Sequence, residues 1–403
     1  MPVYLDHAAT TPLSAPALAA LTTELSRSGN PSSLHGSGRR ARRVVEDSRE
    51  TLAAAAGAHP SEVIFTSGGT EADNLAVKGL YWARRSADPR RRRILCSTIE
   101  HPAVQDTVEW LARHEGAVVT WLPVGADGIV SLDALQGELD DDPASIALIT
   151  VMWANNEVGA VQPIRLITEA AAAHGIPVHS DAVQAFGSLP VSFAESGLAT
   201  MAVSAHKIGG PVGVGALYVG RAVKLTPVQH GGGQERDIRS GTLDAAGISA
   251  FAAAASDVTA DLTGESDRIA ALRDRLISVV EAAVPDAVLR GHRTQRLPGN
   301  AHFTFPGCEG DSLLFLLDLA GVESSTGSAC TAGVPRPSHV LLAMGLSEAE
   351  ARGAQRFSLG HTSTAADVDA LGTALPEAYQ RARQAGMASH ASSIQTAGTG
   401  FRL

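Results

Sequence analysis

Short apolar runs alternate with helix-like stretches from Val63 to Val219, and this alternation constrains the fold more than any other feature. Residues 63–66, 93–98, 117–122, 146–151, 176–181, 199–203 and 216–219 each have the length and aliphatic content of a strand. Stretches between them, such as 164–174, have helical spacing. Strands and helices in alternation predict an α/β fold with a parallel sheet covered on both faces. In such sheets ligands bind beyond the carboxyl ends of the strands. The chain has 403 residues, enough for two domains with a large core.

The residues that follow the strands carry the chemistry. Ser204-Ala205-His206-Lys207-Ile208-Gly209-Gly210 comes directly after one apolar run and leads into a Gly-rich stretch and another strand. An ordinary lysine, with a pKa of about 10.4, is a poor nucleophile at neutral pH. Burial or a nearby cation lowers that value and frees the amine for a carbonyl such as that of pyridoxal phosphate. Upstream, residues 176–184 read as a strand ending in Asp181, with Gln184 one helical turn later. Pyridoxal phosphate needs an acid partner for its ring nitrogen and a donor near its phenolic oxygen, and Asp181 and Gln184 supply both types. Asp181 also suits the N-cap of a following helix, and the two roles are compatible.

Val63 to Thr66 run into Ser67-Gly68-Gly69-Thr70 and then into a helix that buries Leu75, Ala76 and Leu80. Free N–H groups at a helix start favour an anion, and Gly68 and Gly69 let a phosphate approach the backbone. Thr70 can donate its hydroxyl to such a phosphate or cap the helix. With Lys207 downstream, a phosphate site is the better account. His101, after the next strand, either stacks on a cofactor ring or caps a helix. Asn155-Asn156 reads, on its own residues, as a turn.

Beyond Val219, residues 231–242 form a flexible, polar, Gly-rich segment. Residues 247–284 are Ala-rich and helical, residues 301–305 form a strand, and residues 311–319 form a helix with a Leu-rich face. Cys330 sits among small and glycine residues, which suits a loop and makes it a candidate nucleophile. Arg356 matches a carboxylate with two parallel hydrogen bonds. The three cysteines, Cys96, Cys308 and Cys330, have no spacing that suggests zinc or a disulfide framework, and no metal site is expected. Cys96 reads as a core residue, and so sparse a set fits a reducing cytoplasm. A net charge of −10 gives no case for direct nucleic-acid binding, and the basic runs at 39–43 and 90–93 read as solvated surface. No apolar run is long enough to span a membrane and no signal peptide opens the chain, so the expected location is the cytoplasm.

Nine short motifs, in order, resemble the cysteine desulfurases of the NifS/IscS type, within the class V aminotransferase-like pyridoxal-phosphate enzymes. They are Tyr4-Leu5-Asp6-His7-Ala8-Ala9-Thr10-Thr11-Pro12, Asn30-Pro31-Ser32-Ser33-Leu34-His35, and Phe65-Thr66-Ser67-Gly68-Gly69-Thr70-Glu71-Ala72-Asp73-Asn74. They continue with Glu100-His101-Pro102-Ala103-Val104, Asn155-Asn156-Glu157-Val158-Gly159, the lysine stretch and Arg239-Ser240-Gly241-Thr242. Gly327-Ser328-Ala329-Cys330 and Arg356-Phe357-Ser358-Leu359-Gly360 complete the set.

The resemblance implies a pyridoxal-phosphate transferase of fold type I, with a mostly parallel, seven-stranded sheet in the large domain and a smaller α/β domain. It places the large domain at residues 13–255 and the small domain at 1–12 and 256–385; the tail at 386–403 has no counterpart there, and its Ala-, Ser-, Thr- and Gly-rich composition reads as poorly ordered. Lys207 would hold the cofactor, Asp181 its ring nitrogen, and His101 its pyridine face. Gly69, Thr70, Gln184, Ser204 and His206 would complete the cofactor site. Asn156 would lie near the phenolic oxygen and the substrate, and Arg356 would hold the carboxylate of L-cysteine. Thr242 would reach the cofactor phosphate of a partner subunit, which implies a homodimer. Cys330 would accept sulfur and leave alanine as co-product. An iron–sulfur scaffold or a tRNA-thiolating enzyme would then take the sulfur. A selenocysteine lyase, or another class V enzyme, is the close alternative. A non-enzymatic sulfur relay would be expected to lack Lys207 or Asp181. One departure stands out: His361 follows Gly360 where many relatives carry arginine.

Overall fold

The computed structural model describes residues 2–327 and 337–389. The chain opens with a short strand, β1 (Val3–Tyr4), and two helices, α1 (Ala15–Leu25) and α2 (Gly36–Ala55). The alternating part follows as β2 (Val63–Thr66), α3 (Gly69–Ala87), β3 (Arg93–Ser97), α4 (Pro102–Glu115) and β4 (Val118–Leu122). It continues through α5 (Leu132–Asp141), β5 (Ile146–Thr150), α6 (Ile164–Ala172), β6 (Val178–Asp181), α7 (Phe193–Ser196), β7 (Thr200–Ser204) and β8 (Gly215–Val219).

These strands form a seven-stranded sheet in the order β2-β8-β7-β6-β5-β3-β4. The pairs from β7 to β4 are parallel, and β8 runs antiparallel to both β2 and β7. The reversal has a simple cause. Parallel neighbours need a crossover of a dozen or more residues, and the Gly-rich link 205–214 is too short for one. Residues β2, β5, β6, β7 and β8 are buried along their length, as expected for strands covered on both faces. The turn after β2 is held against the start of β8, where a Cβ at Gly215 would lie 2.7 Å from the Cα of Gly68.

After β8 come α8 (Ala245–Ala260) and α9 (Leu262–Ala283). The sequence pattern suggests one continuous helical region here, but Asp261 divides it. Its non-helical backbone (φ −141°, ψ 56°) stops α8, and its side chain accepts from the N–H of Gly264 at 3.2 Å to cap α9. Helix α8 packs on α1 and α2, whereas α9 packs on the last helix. Then follow β9 (Val288–Arg290), β10 (Asn300–Thr304), α10 (Gly310–Leu319), β11 (Val322–Glu323), α11 (His339–Ala343), α12 (Glu348–Arg352), β12 (Ala354–Ser358) and α13 (Ala365–Ser389). Strands β12, β10 and β9 form an antiparallel sheet, and β1 pairs in parallel with β11. Helix α13 continues past Gly386 to Ser389. Residues 390–403 lie outside the described residues.

Two large apolar clusters result. One gathers Phe65, Val203, Tyr218 and Phe251 around the seven-stranded sheet. The other gathers Leu5, Leu276, Phe303, Phe357 and Leu371 around the antiparallel sheet. Among the described residues, no helix is long and apolar enough to cross a membrane.

The polar segment 231–242 is fixed to the sheet by a buried ion pair. Arg49 on α2 donates to both oxygens of Glu235, at 2.7 and 2.8 Å, and the N–H of Phe65 donates to the same carboxylate at 2.9 Å. Removing one partner of such a pair leaves a buried charge uncompensated. Glu235→Ala is expected to cost on the order of 3 kcal/mol in urea unfolding. Glu46→Ala, which removes only the exposed partner of Arg49, is expected to cost under about 1 kcal/mol.

Candidate active site

The parallel strands β2, β3, β5, β6 and β7 end on one edge, and each delivers a polar residue there. Strand β2 runs through Gly68 and Gly69 into α3. Gly68 sits at φ +149° and caps the helix without a side chain, so no side chain competes for the first N–H groups. A Cβ at Gly69 would come within 2.8 Å of Val183 Cγ2, so any larger residue would displace Val183 or the turn. Thr70 is exposed on the first turn. Ser204, the last residue of β7, lies beside this turn, its Oγ 3.9 Å from where a Cβ on Gly68 would be.

Lys207 ends a single 3-10 turn after β7. Its Nζ donates to the carbonyls of Ala8 at 2.6 Å and Ala9 at 2.8 Å. Burial, followed by the positive charge of Arg356, lowers its pKa to about 8, against the pull of Asp181 and Asp6. At pH 7 roughly one amine in ten is then neutral, against fewer than one in a thousand for an ordinary lysine. His206 Nδ1 lies 3.2 Å from Thr10 Oγ1, and burial and the neighbouring Lys207 lower its pKa to about 4.

Asp181 closes β6 and is buried. Burial raises its pKa, opposed by His101, by the N–H of Val183 at 2.8 Å and by Lys207. His101 caps α4, its Nδ1 accepting from the N–H of Ala103 at 3.1 Å. That bond leaves the ring proton on Nε2, and burial lowers the imidazole pKa despite Asp181. Capping and facing Asp181 therefore coexist in one histidine. Gln184 donates to the carbonyl of Ala8 at 2.9 Å, so the amide proposed for a cofactor oxygen is engaged by the N-terminal segment.

Arg356, on β12 of the other sheet, reaches the same edge. Its Nη1 donates to the carbonyl of Asn156 at 2.8 Å and its Nη2 to Asp6 Oδ1 at 2.7 Å. The Nε is buried without a partner among the described residues, so donor capacity remains for a carboxylate. The segment 231–242 is tied to α3 by Arg239, whose Nε donates to Glu71 Oε1 at 2.8 Å. Thr242 is exposed.

Cys330 and the residues around it, 328–336, lie outside the described residues. Both flanks of that segment meet Glu157, the residue after Asn156. Ser338 Oγ donates to Glu157 Oε2, and a Cβ at Gly327 would lie 3.6 Å from the same oxygen. His339 Nε2 is 3.0 Å from the carbonyl of Glu100. Cys96 and Cys308 are free and buried.

Some residues at this edge were not singled out from sequence. Asp6 holds Arg356. Glu100 is wholly buried, accepts from the N–H of Met152 at 2.6 Å, and is pushed up to about 8 by burial. Behind Asp181, His179 Nε2 is 3.2 Å from Asp73 Oδ1. No local pattern marks these residues: His179 lies between Val178 and Ser180, and Glu100 between Ile99 and His101, as ordinary polar positions would.

The aminotransferase class-V family model matches residues 3–371. The chain is 57% identical over 387 residues to an IscS-like cysteine desulfurase of Mycobacterium tuberculosis, covering 96% of this chain and 98% of that one. It is 41% identical over 382 residues to a cysteine desulfurase IscS of Methanosarcina thermophila, covering 94% and 93% of the two chains. Among solved structures, a NifS-like protein aligns with a TM-score of 0.86 at 34% identity, over 94% of this chain and 100% of that chain. A NifS-like protein of Rickettsia africae aligns with a TM-score of 0.85 at 31% identity, over the same shares. A lysine, a buried carboxyl and a glycine turn at one sheet edge, on a chain matched over nearly its whole length, place this protein in the pyridoxal-phosphate-dependent aminotransferase class-V family.

Proposed function

We propose that the chain is a cysteine desulfurase that converts L-cysteine to L-alanine and collects the sulfur on Cys330. The observation that carries the reading is Lys207, whose amine is lowered to about 8 at the edge it shares with Asp181, His101 and Arg356. The names of the relatives and the lone cysteine between Glu157-anchored flanks support the same reading.

The residues fit pyridoxal phosphate. The uncapped start of α3 behind Gly69, with Thr70, Ser204 and His206, suits the phosphate, and Asp181 suits the ring nitrogen. When bound, the cofactor supplies an electron sink for the substrate Cα. Lys207 would anchor it through the amine and, as the free amine, would move the Cα proton. The Nε2–H of His101 would be offered to the ring. Gln184, now bonded to Ala8, would supply an amide donor to the cofactor beside Asn156. Arg356 takes the substrate carboxylate with the N–H groups not used by Asp6 and Asn156. Cys330, as thiolate, attacks the substrate sulfur. The C–S bond breaks with its electron pair on carbon, and protonation there gives alanine while the persulfide stays on Cys330.

We further assign the working unit as a homodimer in the cytoplasm, with Thr242 offered to the partner's phosphate. Exposed Thr242 and the apolar Leu34 and Val212, 88% and 81% exposed, support a partner surface. The persulfide would pass to an iron–sulfur scaffold or another sulfur acceptor. The large unit is 13–255, and the small unit is 1–12 with 256–385, in keeping with the two separate apolar clusters.

The lowered pKa fixes a pH dependence. A free amine is the reacting form, so the rate at which cofactor-free protein takes up pyridoxal phosphate should rise about tenfold per pH unit up to about 8 and then level. A rate still climbing at pH 10 would mean a lysine at its ordinary value, and Lys207→Ala should abolish the yellow absorbance. Arg356→Ala should raise KM for cysteine by tenfold or more, and an unchanged KM would remove its carboxylate role. Cys330→Ala should keep the visible absorbance and lose sulfide release; equal release by both proteins would move the acceptor elsewhere.

A further inference from the structure

His179 lies beneath the proposed site and touches no group expected to react. It is nonetheless joined to the elements that hold the cofactor. On β6 it is two residues before Asp181, so the two side chains share one face of the strand. Its Nε2 is 3.2 Å from Asp73 Oδ1, and Asp73 stands one turn into α3, the helix that begins at Gly69 and Thr70. Its Nδ1 is 2.9 Å from Thr200 Oγ1, directly opposite on β7, the strand that ends at Ser204 and leads to Lys207. All three side chains are inaccessible to solvent, at 0% for His179 and Thr200 and 1% for Asp73.

One imidazole therefore bonds to the helix that faces the phosphate and to the strand that leads to the lysine, from the strand that ends in the ring-nitrogen acid. We propose that His179, with Asp73 and Thr200, is a positioning hub that fixes the spacing of the phosphate turn, Asp181 and Lys207 to match a single cofactor. A salt bridge is not required for this. Burial raises Asp73 well above the usual carboxylate range and lowers His179 to about 3, which favours a neutral pair. The carboxyl O–H then donates to Nε2, and Nδ1–H donates to Thr200. Neutral partners avoid placing two further charges beside Asp181, and hydrogen bonds in a dry interior have a narrow range of lengths and angles.

This inference rests on the reading that Gly69, Asp181 and Lys207 hold pyridoxal phosphate. A merely space-filling role makes the opposite prediction at His179, because leucine replaces the imidazole with an apolar group of comparable bulk. The variants are His179→Leu, Asp73→Leu, Asp73→Asn and Thr200→Val, each checked for folding by circular dichroism and thermal melting. Pyridoxal phosphate affinity is read from visible absorbance on titrating the cofactor-free full-length protein, and kcat and KM for cysteine are measured on the loaded one. Both leucine variants should bind the cofactor tenfold or more weakly and shift the pH midpoint of its absorbance, with kcat falling more than KM rises. Asp73→Asn, whose amide can still bond to Nε2, should recover affinity to within a few-fold of wild type. Leucine variants with wild-type affinity and midpoint overturn the hub. If they fail to fold, Thr200→Val decides, because it exchanges a single hydroxyl for a methyl of similar size: a several-fold loss of affinity supports the hub and an unchanged value overturns it. A wild-type protein that takes up no cofactor at Lys207 overturns the underlying site instead.

Discussion

Parallel pairing from β7 to β4 is the constraint on which the site depends. Parallel strands put every carboxyl end on one edge, and a chain cannot return to that edge without a crossover. Gly69, His101, Asn156, Asp181 and Lys207 meet there although they are spread over a third of the sequence. The antiparallel strand β8 is the necessary exception. A short glycine link after Lys207 forces the chain back at once, and the turn after β2 then rests on the start of β8. Ser204, three residues before the lysine, and the glycine turn are neighbours because this one connection is short.

The second constraint is charge in a dry interior. Asp73, Glu100 and Asp181 are all buried close to one strand edge, and three carboxylates cannot all ionise there without opposing charge. Asp181 alone of the three has His101 and Lys207 opposing the rise that burial causes. Lys207 is tuned by the same economy, with burial and Arg356 on one side and Asp181 and Asp6 on the other.

Much of this was legible in the sequence because its signals are local. A strand followed by Gly68-Gly69 or by Asp181 declares itself within a dozen residues, and the predicted strands match the observed ones to within a residue or two at most ends. Pairings across long separations leave no such pattern. Asp73 meets His179 across 106 residues and Arg49 meets Glu235 across 186. Neither residue of these pairs looks different from an ordinary polar position until the chain is folded. Gln184 shows the same limit: its partner in the structure, the carbonyl of Ala8, lies 176 residues away. The break at Asp261 was missed for another reason. An Asp with Gly264 three residues on is a capping signal, but the Ala-rich composition around it reads as uninterrupted helix.

The Asp6–Arg356 bond spans 350 residues, and this has a consequence for biosynthesis. A ribosome extends a chain at about 5–20 residues per second, so Asp6 waits roughly 20–70 seconds for its partner. Lys207 is made well before Arg356, and Arg356 is one of the two influences that lower its amine pKa. An unfinished chain that folded its large sheet would therefore carry a lysine more fully protonated, and less reactive toward aldehydes, than the finished one.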